Sequence, residues 1–102
     1  MKIKSSKKNN VWVVYILRCS DKSLYTGITN NIEKRFDAHN QGTGAKYTRS
    51  RRPVKLMTTS AKMERGDAMR LEIKIKRLPK TEKIDALKKT ASRTRKKREV
   101  KT

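Results

Sequence analysis

Seven consecutive apolar residues, at positions 11–17, stand near the start of a 102-residue chain in which only 33% of residues are apolar. The run, VWVVYIL, is rich in β-branched and aromatic residues, is too short for a typical helix, and lacks the alternation of a half-buried strand. It therefore predicts a β-strand that is buried on both faces. With so few apolar residues, the core is expected to be compact and drawn from a few dense segments such as this one.

The remaining sequence predicts two more strands and three helices. Asn30 is a good helix N-cap, Glu33 lies three residues later in the position of a capping box, and Gly42 suits the helix end. The predicted elements are a strand at 24–28, a helix at 31–41, a loop at 41–53, a strand at 54–59, a helix at 62–77 and a further helix that begins at Pro79. This order predicts an α+β domain with a small three-stranded antiparallel sheet flanked by helices.

The first two strands form a predicted hairpin, and the length of its turn decides where two tyrosines point. A three-residue turn at 20–22, closed by Cys19 and Ser23, places Tyr15 and Tyr25 on the same face of the sheet. A four-residue turn would send them to opposite faces unless a bulge intervened. We therefore expect the three-residue turn if the two hydroxyls share a role.

A glycine follows on the second strand of this hairpin. Gly27 either lets a substrate or a tyrosine ring approach the strand closely, or it simply marks the end of the strand. The sequence favours neither explanation.

The charge of the chain is strongly positive. It has 29 Lys and Arg against 9 Asp and Glu, which gives a net charge of +20 and a pI near 10.7. More than half of the excess lies at the two ends, so we expect a basic N-terminal arm at 1–9, a domain at 10–88 and a basic C-terminal tail at 89–102, with both ends mobile. Such an excess is self-repelling unless a polyanion neutralises it, which favours a nucleic-acid partner. Ribosome association and an anionic membrane surface are the other interpretations.

Several classes of protein are not expected. Cys19 is the only cysteine, so neither an internal disulfide nor a cysteine-rich zinc site can form. The sequence contains no apolar stretch long enough to span a bilayer, and its N-terminus has no apolar signal region after its charges. We expect a cytoplasmic protein, associated with the nucleoid if the source is bacterial, without a membrane partner.

Three polar side chains are predicted to lie beside the tyrosines of the hairpin. Arg35 and His39 are i,i+4 partners at the edge of the helix stripe that faces the sheet. Glu72, on the next helix, lies beside the inward face of that helix and could reach the same cleft.

Together these residues resemble the GIY-YIG nuclease superfamily over about residues 10–88. The resemblance rests on the triplets Val13-Val14-Tyr15 and Tyr25-Thr26-Gly27, on Arg35 and His39 at helical spacing, and on Glu72 downstream. Both triplets depart from the name-giving pattern but keep the tyrosine, and no asparagine follows Glu72. The chain is most similar to the small stand-alone members, which are related to the catalytic subunit of structure-specific endonucleases that cut branched DNA.

The resemblance implies hydrolysis of phosphodiester bonds in branched or structured DNA during repair or recombination. It makes Tyr15, before Tyr25, the group that orients or deprotonates the attacking water, which requires a lowered tyrosine pKa near neutral pH. Arg35 would hold the phosphate, and His39 would hydrogen-bond a tyrosine or the phosphate. A single carboxylate, Glu72, suits one Mg²⁺ or Mn²⁺ that keeps several waters.

The basic loop at 41–53 adds predicted contacts to nucleic acid. These are the cations of the loop and the tyrosine among them, which could stack on a base or join the site: Lys46, Tyr47, Arg49, Arg51 and Arg52. The alternative to an enzyme is a non-catalytic module that binds structured DNA or RNA with the same fold and basic arms. The resemblance also allows a protein partner that supplies targeting, as for the related catalytic subunits.

Overall fold

The structure, a computed structural model, describes the backbone of residues 11–100 and the side chains of residues 11–90. Its elements are β1 (Val13–Arg18), β2 (Leu24–Thr29), α1 (Ile32–Gln41), α2 (Lys46–Arg49), β3 (Lys55–Thr59), α3 (Arg65–Lys76) and α4 (Lys80–Val100). The predicted basic arm at 1–9 lies outside the described residues. The predicted tail at 89–102 begins within α4, and its separation from the domain stays a prediction.

The three strands form one antiparallel sheet in the order β2-β1-β3, so the apolar run supplies the central strand. Five of its six residues are buried, from Val13 to Leu17, and only Arg18 is exposed. The expectation of a strand buried on both faces is therefore confirmed. Met57 is an extra residue on β3, because Ile16 pairs with Thr58 whereas Leu17 pairs with Leu56.

Alternate residues of β1 enter two separate apolar clusters. Val14 and Ile16 face α3 and α4, where they pack in a cluster whose other buried members are Ala68, Ile75 and Leu87. Tyr15 and Leu17 face α1 and form the second cluster with Cys19 and Val54, against which Tyr25, Ile32 and Phe36 pack. The fold is thus the predicted α+β domain, with helices on both faces of a three-stranded antiparallel sheet.

The first helix begins one residue later than expected. Asn31, not Asn30, is the N-cap of α1, and its side chain accepts a hydrogen bond from Lys34 N at 3.1 Å. Asn31 is held there because its own N–H donates to Thr29 Oγ1 at 3.0 Å. The helix ends as predicted at Gly42, whose φ of 86° is the left-handed conformation that glycine adopts without steric cost.

The loop prediction for 41–53 is wrong in part, because α2 occupies four of its residues. Such a short helix has no apolar periodicity from which to predict it. At the other end of the sheet, Trp12 and Met63 form a two-way backbone bridge, with N···O distances of 2.9 and 2.8 Å, that leads the chain into α3. None of the helices in residues 11–100 is both long and apolar enough to cross a membrane.

Candidate active site

The β1–β2 hairpin sets the two tyrosines side by side. Its connection has three residues, since Cys19 N donates to Ser23 O at 2.8 Å and Lys22 N donates to Cys19 O at 2.9 Å. Tyr15 therefore lies opposite Gly27, and Tyr25 lies opposite Leu17. Both tyrosines project from the same face, with ring centroids 6.3 Å apart, so the predicted turn and register are confirmed.

Gly27 makes room for the ring of Tyr15. A Cβ atom at this position would lie 2.5 Å from Tyr15 Oη and 2.7 Å from its Cζ, both too close for non-bonded atoms. Of the two explanations for this glycine, close approach of a tyrosine ring is the one the structure supports. The Tyr15 side chain fills that space so completely that the residue is only 1% exposed.

The hydroxyl of Tyr15 is the point at which β1 and α1 meet. His39 Nε2 lies 2.9 Å from Tyr15 Oη, and Arg35 Nε donates to the same oxygen at 3.4 Å. The expected helix spacing thus brings both side chains to one phenolic oxygen. His39, however, is fully buried and not at the edge of the helix stripe.

Behind His39 lies a residue to which the sequence analysis assigned no role. Thr48, fully buried on α2, places its Oγ1 2.7 Å from His39 Nδ1 and donates to Ala45 O at 3.0 Å. Gly44 packs against the same imidazole, and a Cβ there would lie 2.6 Å from Nδ1. Gly44 and Thr48 stand in a hydroxyl-rich loop without apolar periodicity, and they reach His39 only because α2 packs against α1.

The hydrogen bonds around His39 couple its tautomer to the proton of Tyr15. Thr48 has one hydroxyl hydrogen, and a carbonyl such as Ala45 O can only accept. When Thr48 donates its hydroxyl hydrogen to Ala45 O, its oxygen can only accept from His39, so Nδ1 of His39 must carry a proton. Nε2 of His39 is then unprotonated and accepts from the Tyr15 hydroxyl. The backbone N–H of Ala45, at 3.5 Å from Nδ1, is the contact that favours the opposite tautomer.

Burial shifts both titratable groups of this cluster towards their neutral forms. The pKa of His39 falls from 6.5 to about 4, first because of burial and then because of the nearby charge of Arg35. Burial also raises the pKa of the Tyr15 phenol, and the charges of Tyr25 and Glu72 raise it further. The Arg35 hydrogen bond opposes this rise but is outweighed, so these side chains do not by themselves supply the lowered tyrosine pKa that ionisation of Tyr15 near neutral pH requires.

Tyr25 and Tyr47 extend the cluster towards solvent. The Tyr25 ring lies 5.2 Å from that of His39 and stacks on Tyr47, with centroids 5.9 Å apart and planes at 24°. Tyr47 thus joins the aromatic cluster, which is one of its two expected roles, and remains 38% exposed. The three tyrosines and the histidine form a continuous aromatic cluster that runs from the buried Tyr15 to the partly exposed Tyr47.

Glu72 is the outlying member of the predicted set. Its carboxylate forms an ion pair with Lys76 one turn later on α3, at 3.2 Å, and its side chain is 21% exposed. It is close enough to Tyr15 for its charge to raise the pKa of the phenol. No group of three or more histidine, cysteine or acidic side chains within residues 11–90 could share a metal ion. A cation at Glu72 would accordingly take most of its ligands from water, which suits Mg²⁺.

The cations of the loop divide into two kinds. Arg51 binds within the protein: it pairs with Asp21 at 3.0 Å, donates to Tyr47 O at 2.8 Å, and places its Cζ 3.9 Å from the centroid of the Tyr47 ring. Arg52 donates to Arg49 O at 2.9 Å and to Asn40 O at 3.4 Å. Lys46 and Arg49 are exposed beside the aromatic cluster.

Comparison with known proteins agrees with this geometry. The family model for the GIY-YIG catalytic domain matches residues 11–85, which include every member of the candidate site. The chain belongs to the GIY-YIG family. A UPF0213 protein of Nitratidesulfovibrio vulgaris is 47% identical over 83 residues, covering 81% of this chain and 76% of that protein. The UPF0213 protein OB0043 of Oceanobacillus iheyensis is 51% identical over 71 residues, covering 70% and 83%.

Among solved structures, the solution structure of the protein EF2693 from E. faecalis is similar to this GIY-YIG domain. The two are 40% identical, with a TM-score of 0.52, and the match covers 74% of this chain and 81% of that one. The predicted family and fold are therefore confirmed. The GIY-YIG family consists generally of nucleases, and a nuclease interpretation of the site rests on this membership together with the geometry at Tyr15.

Proposed function

We propose that the protein is a nuclease that hydrolyses phosphodiester bonds in branched or otherwise structured DNA, with the help of one divalent cation. The observation that carries this proposal is the convergence of His39 Nε2 and Arg35 Nε on the single hydroxyl of Tyr15. A buried imidazole whose pKa is depressed and which contacts a phenol has the kind of perturbed environment that is concentrated at functional sites. In a nuclease it has a use, because it can accept the proton of Tyr15.

In this mechanism Tyr15 removes a proton from the attacking water. A phenol with a raised pKa cannot do so by ionising beforehand, so its own proton passes to His39 Nε2 as it takes one from the water. This step requires His39 to carry its other proton on Nδ1, the tautomer in which Thr48 donates to Ala45 O. The P–O bond to the leaving oxygen breaks as the water oxygen bonds to phosphorus, and His39, with a pKa of about 4, gives up the additional proton, so that the leaving oxygen ends as a hydroxyl.

Arg35 has a second function in the same site. Its guanidinium hydrogen-bonds Tyr15 and Tyr25, and the fork of N–H groups on a guanidinium suits a phosphate oxygen, so Arg35 would also hold the phosphate at the site. Glu72 would hold Mg²⁺ or Mn²⁺, which would reduce the negative charge on the phosphate and on the leaving oxygen. Tyr47, with Lys46 and Arg49 beside it, would contact bases and phosphates next to the cut.

The proposal is tested with branched, flapped and linear DNA in Mg²⁺, in Mn²⁺ and in EDTA. Tyr15→Phe keeps the ring and removes the hydroxyl, so we expect cleavage to fall by about 10² to 10⁴, the range for a general base, with DNA binding in EDTA unchanged within twofold. Glu72→Gln should abolish the response to the cation. Lys62→Gln, an exposed change beside the Trp12–Met63 bridge, is the matched control and should cut like the wild type.

The alternative is a module that binds structured DNA or RNA without cutting it. Two observations favour it: the raised pKa of Tyr15, and the ion pair that occupies Glu72. Under this alternative the wild type binds branched DNA in EDTA yet leaves it intact in both cations. Equal cutting by the wild type, Tyr15→Phe and Glu72→Gln would instead point to a contaminating nuclease, and would remove the support for this site.

A further inference from the structure

Two clefts meet at the hairpin end of the sheet, and every charged residue that lines them is basic. They share Arg18 and Lys22, and have volumes of about 290 and 380 Å³. Lys55 completes the charge of the smaller cleft, and Lys80 completes that of the larger one. We call these four residues, Arg18, Lys22, Lys55 and Lys80, the cationic hairpin surface. None of them belongs to the candidate active site.

The local structure at this surface conflicts with ordinary folding preferences in two ways. Arg18 on β1 lies directly opposite Lys55 on β3, and like charges in that position repel each other. Lys22 has a φ of 70°, a left-handed conformation that glycine or asparagine adopts far more readily than lysine. The acidic residue of the turn, Asp21, does not neutralise these cations, because it accepts from Ser23 and pairs with Arg51. When residues that disfavour the local fold lie close together, as this like-charged pair and this left-handed lysine do, they are typical of a binding site.

The position of the surface relates it to the tyrosine cluster. Arg18 is three residues beyond Tyr15 on the same strand, which places the two about 10 Å apart along β1 and on opposite faces of the sheet. The tip of the hairpin is also tied to the loop that carries Tyr47, because Ser20 N donates to Arg51 O at 2.9 Å and Asp21 pairs with Arg51 at 3.0 Å. The surface and the candidate active site therefore lie at the same end of the molecule, on two faces of the sheet.

We propose that the cationic hairpin surface binds the phosphate backbone of a second arm of branched DNA while the junction lies at the tyrosine cluster. This inference rests on the proposed function and narrows its substrate. A straight duplex laid against the tyrosine face follows that face, whereas a backbone that reaches Arg18 and Lys80 has to turn around the end of the hairpin. Branched DNA supplies such a second direction without the cost of bending a duplex.

The test is a binding measurement in EDTA, so that no cleavage is required. A three-way junction and a linear duplex with the same number of nucleotides are titrated with the wild type and with Lys22→Gly/Lys55→Gln across a range of salt concentrations. The control is Lys62→Gln/Lys88→Gln, which removes two exposed charges from outside both clefts. Lys22→Gly alone is the second variant, since glycine suits the φ at this position and its melting temperature should not fall.

For the junction, we expect the double variant to bind about tenfold more weakly near 0.15 M salt and the salt slope to fall by about two, since each lost phosphate contact removes about 0.9. Its affinity for the linear duplex should stay within about twofold. The control should affect both DNAs alike. Equal losses for the two DNAs, or no selective loss for the junction, would overturn the inference.

The outcome also separates this inference from the proposed function. If the double variant loses affinity for the junction alone but the wild type never cuts, the binding role of the cationic hairpin surface is supported and the nuclease proposal fails. If the wild type cuts branched DNA while the double variant binds junctions normally, the nuclease proposal stands and the surface is wrong.

Discussion

The two faces of β1 are built from neighbouring residues yet provide opposite chemistry. On one face, Val14 and Ile16 pack among aliphatic side chains of α3 and α4. On the other, Tyr15 carries its hydroxyl into a buried set of polar groups from α1 and α2 that satisfy each other's hydrogen bonds. The contrast shows how a small domain can use its two faces differently: one packs apolar side chains against helices, and the other holds a set of polar side chains away from bulk water.

The largest expected effect on stability comes from a change on the face of β1 that packs against α3 and α4. Ile16 is fully buried in that cluster, so Ile16→Ala removes packing and leaves a cavity that should lower the free energy of unfolding by about 2 to 5 kcal/mol. Urea denaturation followed by Trp12 fluorescence measures this loss. The control is Leu56→Ala on β3, where the residue is 41% exposed and the loss should be much smaller. Similar losses for the two variants would contradict the division between the faces.

The polar face should show its effect through pH. The pKa of His39 is about 4 in the folded protein, against 6.5 in the unfolded chain, so between these values unfolding takes up a proton. This stabilising contribution of neutral His39 is complete above pH 6.5 and decreases as the pH falls, so that about 3 kcal/mol of stability has been lost once the pH is below 4. His39→Gln should remove this part of the pH dependence. A variant with the same slope as the wild type between pH 6.5 and 4 would show that His39 is not the group responsible.

A change at Gly27, which packs against the Tyr15 ring, should have an intermediate effect on stability. Gly27→Ala places a methyl group against the Tyr15 hydroxyl and ring, and should cost about 1 to 3 kcal/mol of stability and displace that hydroxyl from His39. Gly66→Ala is the matched control, because its nearest neighbours are the ends of the Arg70 side chain at 3.8 Å. On an exposed helix the same change should stabilise by about 0.5 to 1 kcal/mol. Thermal melts that order the variants the other way would refute the close approach of Tyr15.

The smallest expected effect comes from a change at Thr48, whose hydroxyl contacts His39. Thr48→Val keeps the shape of the side chain and removes its hydroxyl, which should lower the free energy of unfolding by about 1 to 2 kcal/mol. Without the hydroxyl, the proton of His39 should no longer be held on Nδ1. His39 is the only histidine, so nitrogen NMR of the imidazole reports the tautomer without ambiguity. Wild type and Thr48→Ser should both carry the proton on Nδ1. The same tautomer in Thr48→Val would show that Thr48 packs against the ring without positioning it.

Local sequence rules predicted much of this arrangement. The register of the two tyrosines followed from the parity of a three-residue turn, and the burial of β1 followed from an unbroken apolar run. The choice of Asn30 over Asn31 failed because both are good N-caps, and the capping-box position of Glu33 favoured the wrong one; the hydrogen bond from Asn31 to Thr29 decides the matter.

The parts that escaped prediction depend on contacts between distant segments. The burial of His39 requires Thr48 and Gly44 from a loop that shows no periodicity, and the raised pKa of Tyr15 follows from that same burial. Likewise, Arg51 and Arg52 are indistinguishable from their neighbours in a basic loop until the fold brings Asp21 and Asn40 within reach.

The extra residue on β3 has a consequence for how the molecule behaves among copies of itself. In a three-stranded sheet two strands are edges, and an exposed edge can pair with a strand of another molecule. On β3 the bulge at Met57 interrupts the regular row of backbone donors and acceptors, and Lys55 places a charge beside the exposed Leu56. These features discourage edge-to-edge aggregation, so the sheet can keep β3 as an open edge without pairing with a strand of another molecule.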